Sequence, residues 1–101
     1  MAPAAAQETT PLSQVLDNPQ RSRFELEEQG LVAFADYRLQ GDRMVIPHVE
    51  APPALRGTGT AARLMTGVLD IARERGLKVV PVCPYAAVFI RRHPEYQDLL
   101  A

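Results

Sequence analysis

Three side chains in this sequence could move a proton or an electron pair: His48, Glu50 and Cys83. Between them runs Arg56-Gly57-Thr58-Gly59-Thr60-Ala61, a stretch with little side chain to hide its backbone. An imidazole titrates near neutrality, so His48 can take a proton and return it. Glu50 stands two residues on and shares its face in an extended segment. Cys83 is the only cysteine. Its thiolate would be a nucleophile if its pKa were low, and a helix that begins there would help to lower it. Each has an ordinary role as well. His48 can be a hydrogen-bonded strand residue, Glu50 a solvated one, and Cys83 a small buried hydrophobe.

The glycine stretch has a backbone chemistry of its own. The first N–H groups of a helix have no partner inside it and carry partial positive charge. Gly57 and Gly59 would let a phosphate approach those groups closely. The plainer role is a turn with Thr58 as helix cap. A Walker-type loop requires Gly-Lys-Ser/Thr, and here Gly59 is followed by Thr60 and Ala61. Gly-Thr-Gly-Thr-Ala-Ala satisfies the dinucleotide pattern G-x-G-x-x-A. That pattern, however, belongs in an opening βαβ unit with an acidic residue after the next strand. Neither condition is met.

The surrounding elements must hold these residues in place. Residues 1–20 are rich in Ala, Pro, Thr and Gln and read as a disordered tail, with one helical turn near Leu12–Leu16. The domain is expected over 21–101. Three period-two runs follow, in RFELEEQG, LVAFADYRLQ and RMVIPHVE, and give an antiparallel meander. Glu27 and Glu28 fall on a solvated strand face. Pro47 cannot donate to a ladder, so it marks a bulge or an unpaired position. From Thr60 to Arg75 apolar residues recur at helical spacing, and Gly76 caps the end. LKVVPVC is largely apolar and reads as an interior strand. YAAVFIRRH is a second helix stopped by Pro94, and EYQDLLA is a frayed end or a last turn. The order β-β-β-α-β-α gives an α+β domain with two helices against one mixed, mostly antiparallel sheet.

Composition sets limits. The 101 residues fit one domain, and 47% apolar content suits a folded chain. Eleven basic and twelve acidic residues leave a net charge of −1, which argues against nucleic acid as a partner. No apolar run approaches the ~20 residues of a membrane helix, and MAPAAAQETT has no features of a secretory signal. The lone cysteine suits a reducing, cytoplasmic setting. No metal is called for.

Arg56-x-x-Gly59-x-Ala61 resembles the pyrophosphate loop Gln/Arg-x-x-Gly-x-Gly/Ala of the GNAT (GCN5-related) N-acetyltransferases. HVEAPPALRGTGTAARLM, GLKVVPVCPY and IRRHPEY are similar to the blocks of a short, single-domain GNAT-like subfamily, over about residues 45–97. The resemblance implies a minimal GNAT-like fold, splayed where its third and fourth predicted strands diverge. It implies acetyl-CoA as co-substrate. The pyrophosphate would lie on the backbone of Arg56, Gly57, Thr58, Gly59, Thr60 and Ala61, and the pantetheine arm would add like a strand along Val49 to Ala51. By the same resemblance Glu50 is the expected base; His48 is the next candidate because an imidazole titrates near neutrality. Cys83 would orient or protonate the thioester end, or accept the acetyl group transiently.

The sequence also departs from the family. Ile90 stands where many larger members carry a tyrosine acid on the last helix, and Tyr85 and Tyr96 are out of register. Tyr85 reads as packing with a polar tip, and Arg91-Arg92-His93 as a solvated helix end. The helices and strands that enclose the acceptor in longer members are missing. The resulting open acceptor side suits an amine of a protein or peptide. Two functions stay open: an acetyl-CoA-dependent N-acetyltransferase, and a CoA-binding or protein-interaction module on the same fold without turnover.

Overall fold

The computed structural model describes residues 14–101. The period-two runs become β2 (Arg23–Glu28), β3 (Leu31–Gln40) and β4 (Arg43–Glu50). They pair antiparallel in succession. A short β1 (Leu16–Asn18) adds antiparallel to β2, and β5 (Lys78–Pro81) adds parallel to β4. The sheet order is β1-β2-β3-β4-β5. Two α-helices are present among the described residues, α1 (Thr60–Glu74) and α2 (Pro84–Arg91). The α+β class, the mixed, mostly antiparallel sheet and the two helices are as the sequence predicts.

One sheet face makes the core. Phe24, Leu26, Ala33, Ala35, Tyr37, Met44 and Ile46 pack in one cluster with Leu64, Met65, Val68, Leu69 and Ala72 of α1. A large apolar side chain buried in this way contributes about 1.5–3 kcal/mol relative to exposure. Gly76 closes α1 at φ 71°, and the amides of Gly76 and Leu77 bond back to Arg73 and Ala72. This is the glycine-capped ending that the sequence predicts.

Pro47 marks a bulge. Asp36 pairs with His48 and Arg38 with Val45, so Ile46 and Pro47 together oppose Tyr37. The extra residue re-aims the second half of β4.

Two expectations are corrected. The tail expected over 1–20 loses its last part, because Leu16–Asn18 form β1. Asp17 accepts from the Tyr37 hydroxyl at 2.7 Å and from Arg75 at 3.0 Å. These partners lie 20 and 58 residues away in sequence. Residues 1–13, and part of the turn expected near Leu12–Leu16, lie outside the described residues; Leu16 itself is in a strand. The strand expected to be interior, β5, is an edge strand of the sheet. Its far edge is covered by the C-terminus: Leu100 bridges Val79, and the Ala101 amide donates to the Val79 carbonyl at 3.0 Å. Burial by chain ends, as well as by neighbouring strands, makes such a segment apolar. The last residues form a 3₁₀ helix, Pro94–Leu99, held by buried Tyr96 and Leu99 and by a two-pronged Arg73–Asp98 ion pair.

Candidate functional site

The seam between β4 and β5 is closed at one end and open at the other. Pairing runs from Arg43 with Lys78 to Ile46 with Pro81. Its last link is the Cys83 amide, which donates to the Ile46 carbonyl at 2.9 Å. Beyond it the chains part. β4 bends away at the Pro47 bulge and stays with β3, while the chain after Cys83 enters α2 with Pro84 in its first turn. Among the described residues, no strand pairs with the β5 side of Pro47–Glu50. Val49 and Ala51 line this edge half-buried, against the core.

The loop after β4 delivers a helix start without a cap. Its 3₁₀ turn, Pro53–Leu55, consumes the amides of Arg56 and Thr58, which bond to the carbonyls of Pro53 and Leu55. Gly57 and Gly59 follow at φ 80° and 87°, left-handed backbone that glycine adopts without strain. The N-cap of α1 is Gly59, with no side-chain cap bond. Thr58, the expected cap, turns its hydroxyl back to the Leu55 carbonyl at 2.5 Å. Among the described residues, no protein acceptor bonds to the amides of Gly57, Gly59, Thr60, Ala61 or Ala62. Five donors with partial positive charge are therefore open to an anion.

Two hollows adjoin this helix start. One, of about 280 Å³, is walled by Ala51, Leu55, Arg56, Gly59, Ala61 and Tyr85. The other, of about 460 Å³, reaches between the helices to Phe89 and His93 and shares Gly59 and Ala62 with the first. The Phe89 and His93 rings stack 3.9 Å apart. His93 therefore lies on a cleft wall as well as at a helix end.

The candidate side chains separate into two groups. His48 and Glu50 pair with Asp36 and Phe34 of β3, and so project from the sheet face opposite Ala35 and the core. His48 Nε2 and Glu50 Oε1 are hydrogen-bonded at 2.9 Å, and both side chains are more than half exposed. Cys83 lies on the other side, buried in the core cluster at the N-cap of α2. Tyr85 stands two residues beyond it on the cleft wall. Burial pushes the Tyr85 phenol above its ordinary pKa, and the neighbouring Cys83 adds to this electrostatically.

Glu28 is not solvated as expected. It accepts from the Thr60 hydroxyl at 2.5 Å and from Arg63 Nε and Nη2 at 2.7 and 2.8 Å. Arg63 first, and Thr60 second, hold its carboxyl down at about pKa 2. No signal in the sequence pointed to this: only in the folded chain is Thr60 1% exposed, and a buried hydroxyl needs a partner.

A family profile described as GCN5-related N-acetyltransferase matches residues 23–99. The chain belongs to the GCN5-related N-acetyltransferase family. The GNAT fold is matched in a solved structure as well. That structure is an NMR solution structure of a GCN5-like candidate N-acetyltransferase from Staphylococcus aureus, with TM-score 0.68, 23% identity and 90% of each chain covered. No curated protein sequence matches the chain. GNAT membership supports acyltransferase activity as a class.

Proposed function

We propose that this GNAT protein transfers the acetyl group of acetyl-CoA to an amine, with a protein or peptide amine as acceptor. The observation that carries the proposal is the row of open amides at Gly57 and Gly59–Ala62, set at the end of an unpaired strand edge. The diphosphate of the coenzyme would accept from those amides. The pantetheine arm would add along Val49–Ala51, where the β5 side of β4 has no strand. The thioester would then reach the point where β4 and β5 part, with β4 on one side and Cys83 and Tyr85 on the other.

The reaction needs two proton movements. A lysine-type amine has a pKa of about 10.4 and must lose a proton to attack. Its nitrogen lone pair then bonds to the thioester carbonyl carbon and the C–S bond breaks; the nitrogen gives up its second proton, and CoA leaves as a thiolate that takes one up. Glu50 holds one nitrogen of His48, which leaves Nδ1 as the acceptor for the amine proton. Glu50 can also act directly. Tyr85 keeps its proton at neutral pH and stands beside Cys83, so either can serve the departing sulfur. With the outer face of β4 exposed, the acceptor side is open, which suits an amine carried on a larger molecule.

The test is an acetylation assay on peptides with free N-terminal or lysine amines, read by mass spectrometry with CoA release in parallel. Acetyl-peptide and CoA in equal amounts are expected. Turnover confined to small polyamines would overturn the acceptor class. Acetyl-CoA binding without turnover on any amine would leave the non-catalytic binding module.

A further inference from the structure

Glu28 sits at the end of β2, 32 residues before Thr60 and 35 before Arg63, yet it meets both. We propose that Glu28 is a positioning residue for the coenzyme loop, a latch that presets Thr58–Thr60 for the diphosphate; this rests on the acetyl-CoA reading above. Arg63 carries the latch forward. It spans both Glu28 oxygens and also donates to the Thr58 carbonyl at 3.0 Å. Its guanidinium lies over Gly59, where an added Cβ would sit 2.9 Å from Nη1. Thr60 ties in from the helix side, and the Thr58 and Thr60 hydroxyls touch at 2.8 Å. Thr58 passes the connection on to Leu55.

Every bond in this chain uses a side chain or a carbonyl, and none uses the open amides. The loop is therefore braced without consuming the groups it would offer a ligand. The charges fit as well. A bare carboxylate near a helix N-terminus would repel an incoming diphosphate, but Arg63 neutralises Glu28 through two hydrogen bonds. A loop with two glycines loses much conformational freedom when it is ordered. Holding it in its binding form beforehand removes that cost from the binding step.

The test compares wild type with Glu28→Gln and Thr60→Val, using acetyl-CoA as the probe. Calorimetry should show Glu28→Gln about tenfold weaker, as expected if the loop is competent about a tenth of the time. Thr60→Val keeps the Arg63 pair and should lose only a few-fold. In turnover KM should rise with kcat unchanged. In ligand-free Glu28→Gln, amides at Gly57 and Gly59–Ala62 should exchange faster while those of β3 keep their protection. Should Glu28→Gln fail to fold, Thr60→Val carries the same comparison. Unchanged affinity or unchanged loop exchange in folded variants overturns the latch. Faster exchange with unchanged affinity makes Glu28 a structural clasp and overturns it too. Wild type that does not bind acetyl-CoA overturns the acetyl-CoA reading and the latch with it. Wild-type binding with indifferent variants overturns the latch alone.

Discussion

The two ends of the open β4–β5 seam are built on different plans. At the loop end, four residues from β2, the loop and α1 lock one another: Glu28, Thr58, Thr60 and Arg63. At the sheet end, His48 and Glu50 hold each other on an exposed face, while Cys83, 6% exposed, borders the core at the start of α2. The contrast teaches that holding a diphosphate and moving a proton make opposite demands. Backbone amides bind well only when the backbone is fixed and dry of competitors. A base and an acceptor must meet, so their face stays open.

That contrast can be broken at either end. The largest effect is expected at the loop. Gly59→Glu puts a carboxylate against the diphosphate and a side chain on backbone at φ 87° with Arg63 already in its way. Acetyl-CoA binding should fall at least about a hundredfold in calorimetry, since like charges at contact exclude one another. Far-UV circular dichroism should show the fold retained. The sheet end should behave in reverse. His48→Ala and Glu50→Gln should each lower kcat by about a hundredfold, the range for lost acid–base help, with acetyl-CoA affinity unchanged. Equal loss of affinity there would erase the division of labour.

Smaller effects sharpen it. Tyr85→Phe and Cys83→Ser should bind acetyl-CoA normally and lower kcat by about tenfold or less, because water can also protonate a departing thiolate. A complete loss in Cys83→Ser would point instead to an acetyl-cysteine intermediate. The smallest effect concerns pH. The folded pKa of Glu28, about 2, lies below its ordinary 4.5, so its pair with Arg63 adds stability that is present above 4.5 and is lost as pH falls toward 2. Glu28→Gln lacks that term. The melting-temperature gap between wild type and Glu28→Gln should therefore narrow over that range; a constant gap would show that the pair is energetically silent.

Much of the fold was legible because its signals are local. Alternation in RFELEEQG and LVAFADYRLQ, the helical period from Thr60, Gly76 and the Pro47 bulge each depend on neighbours within a few residues. The β1 edge was not, since Asp17 is held by Tyr37 and Arg75 from distant parts of the chain. The site divides in the same way. The glycine loop could be read because the need for bare backbone shows in residue type. That Gly59 and not Thr58 occupies the cap position could not, because Thr58 bonds back to Leu55. Glu28 looked like surface, and only folding brings β2 to the head of α1. Tyr85 looked like packing, and only the start of α2 at Pro84 turns it into the cleft.

Calorimetric titration of the full chain with acetyl-CoA, with NADH as the control dinucleotide, asks most directly whether the uncapped amides at Gly57 and Gly59–Ala62 hold a coenzyme diphosphate. Saturable one-to-one binding of acetyl-CoA, with no heat from NADH and none from Gly59→Glu, is the result expected. Acetyl-CoA heats no larger than those of NADH, or undiminished in Gly59→Glu, would contradict it.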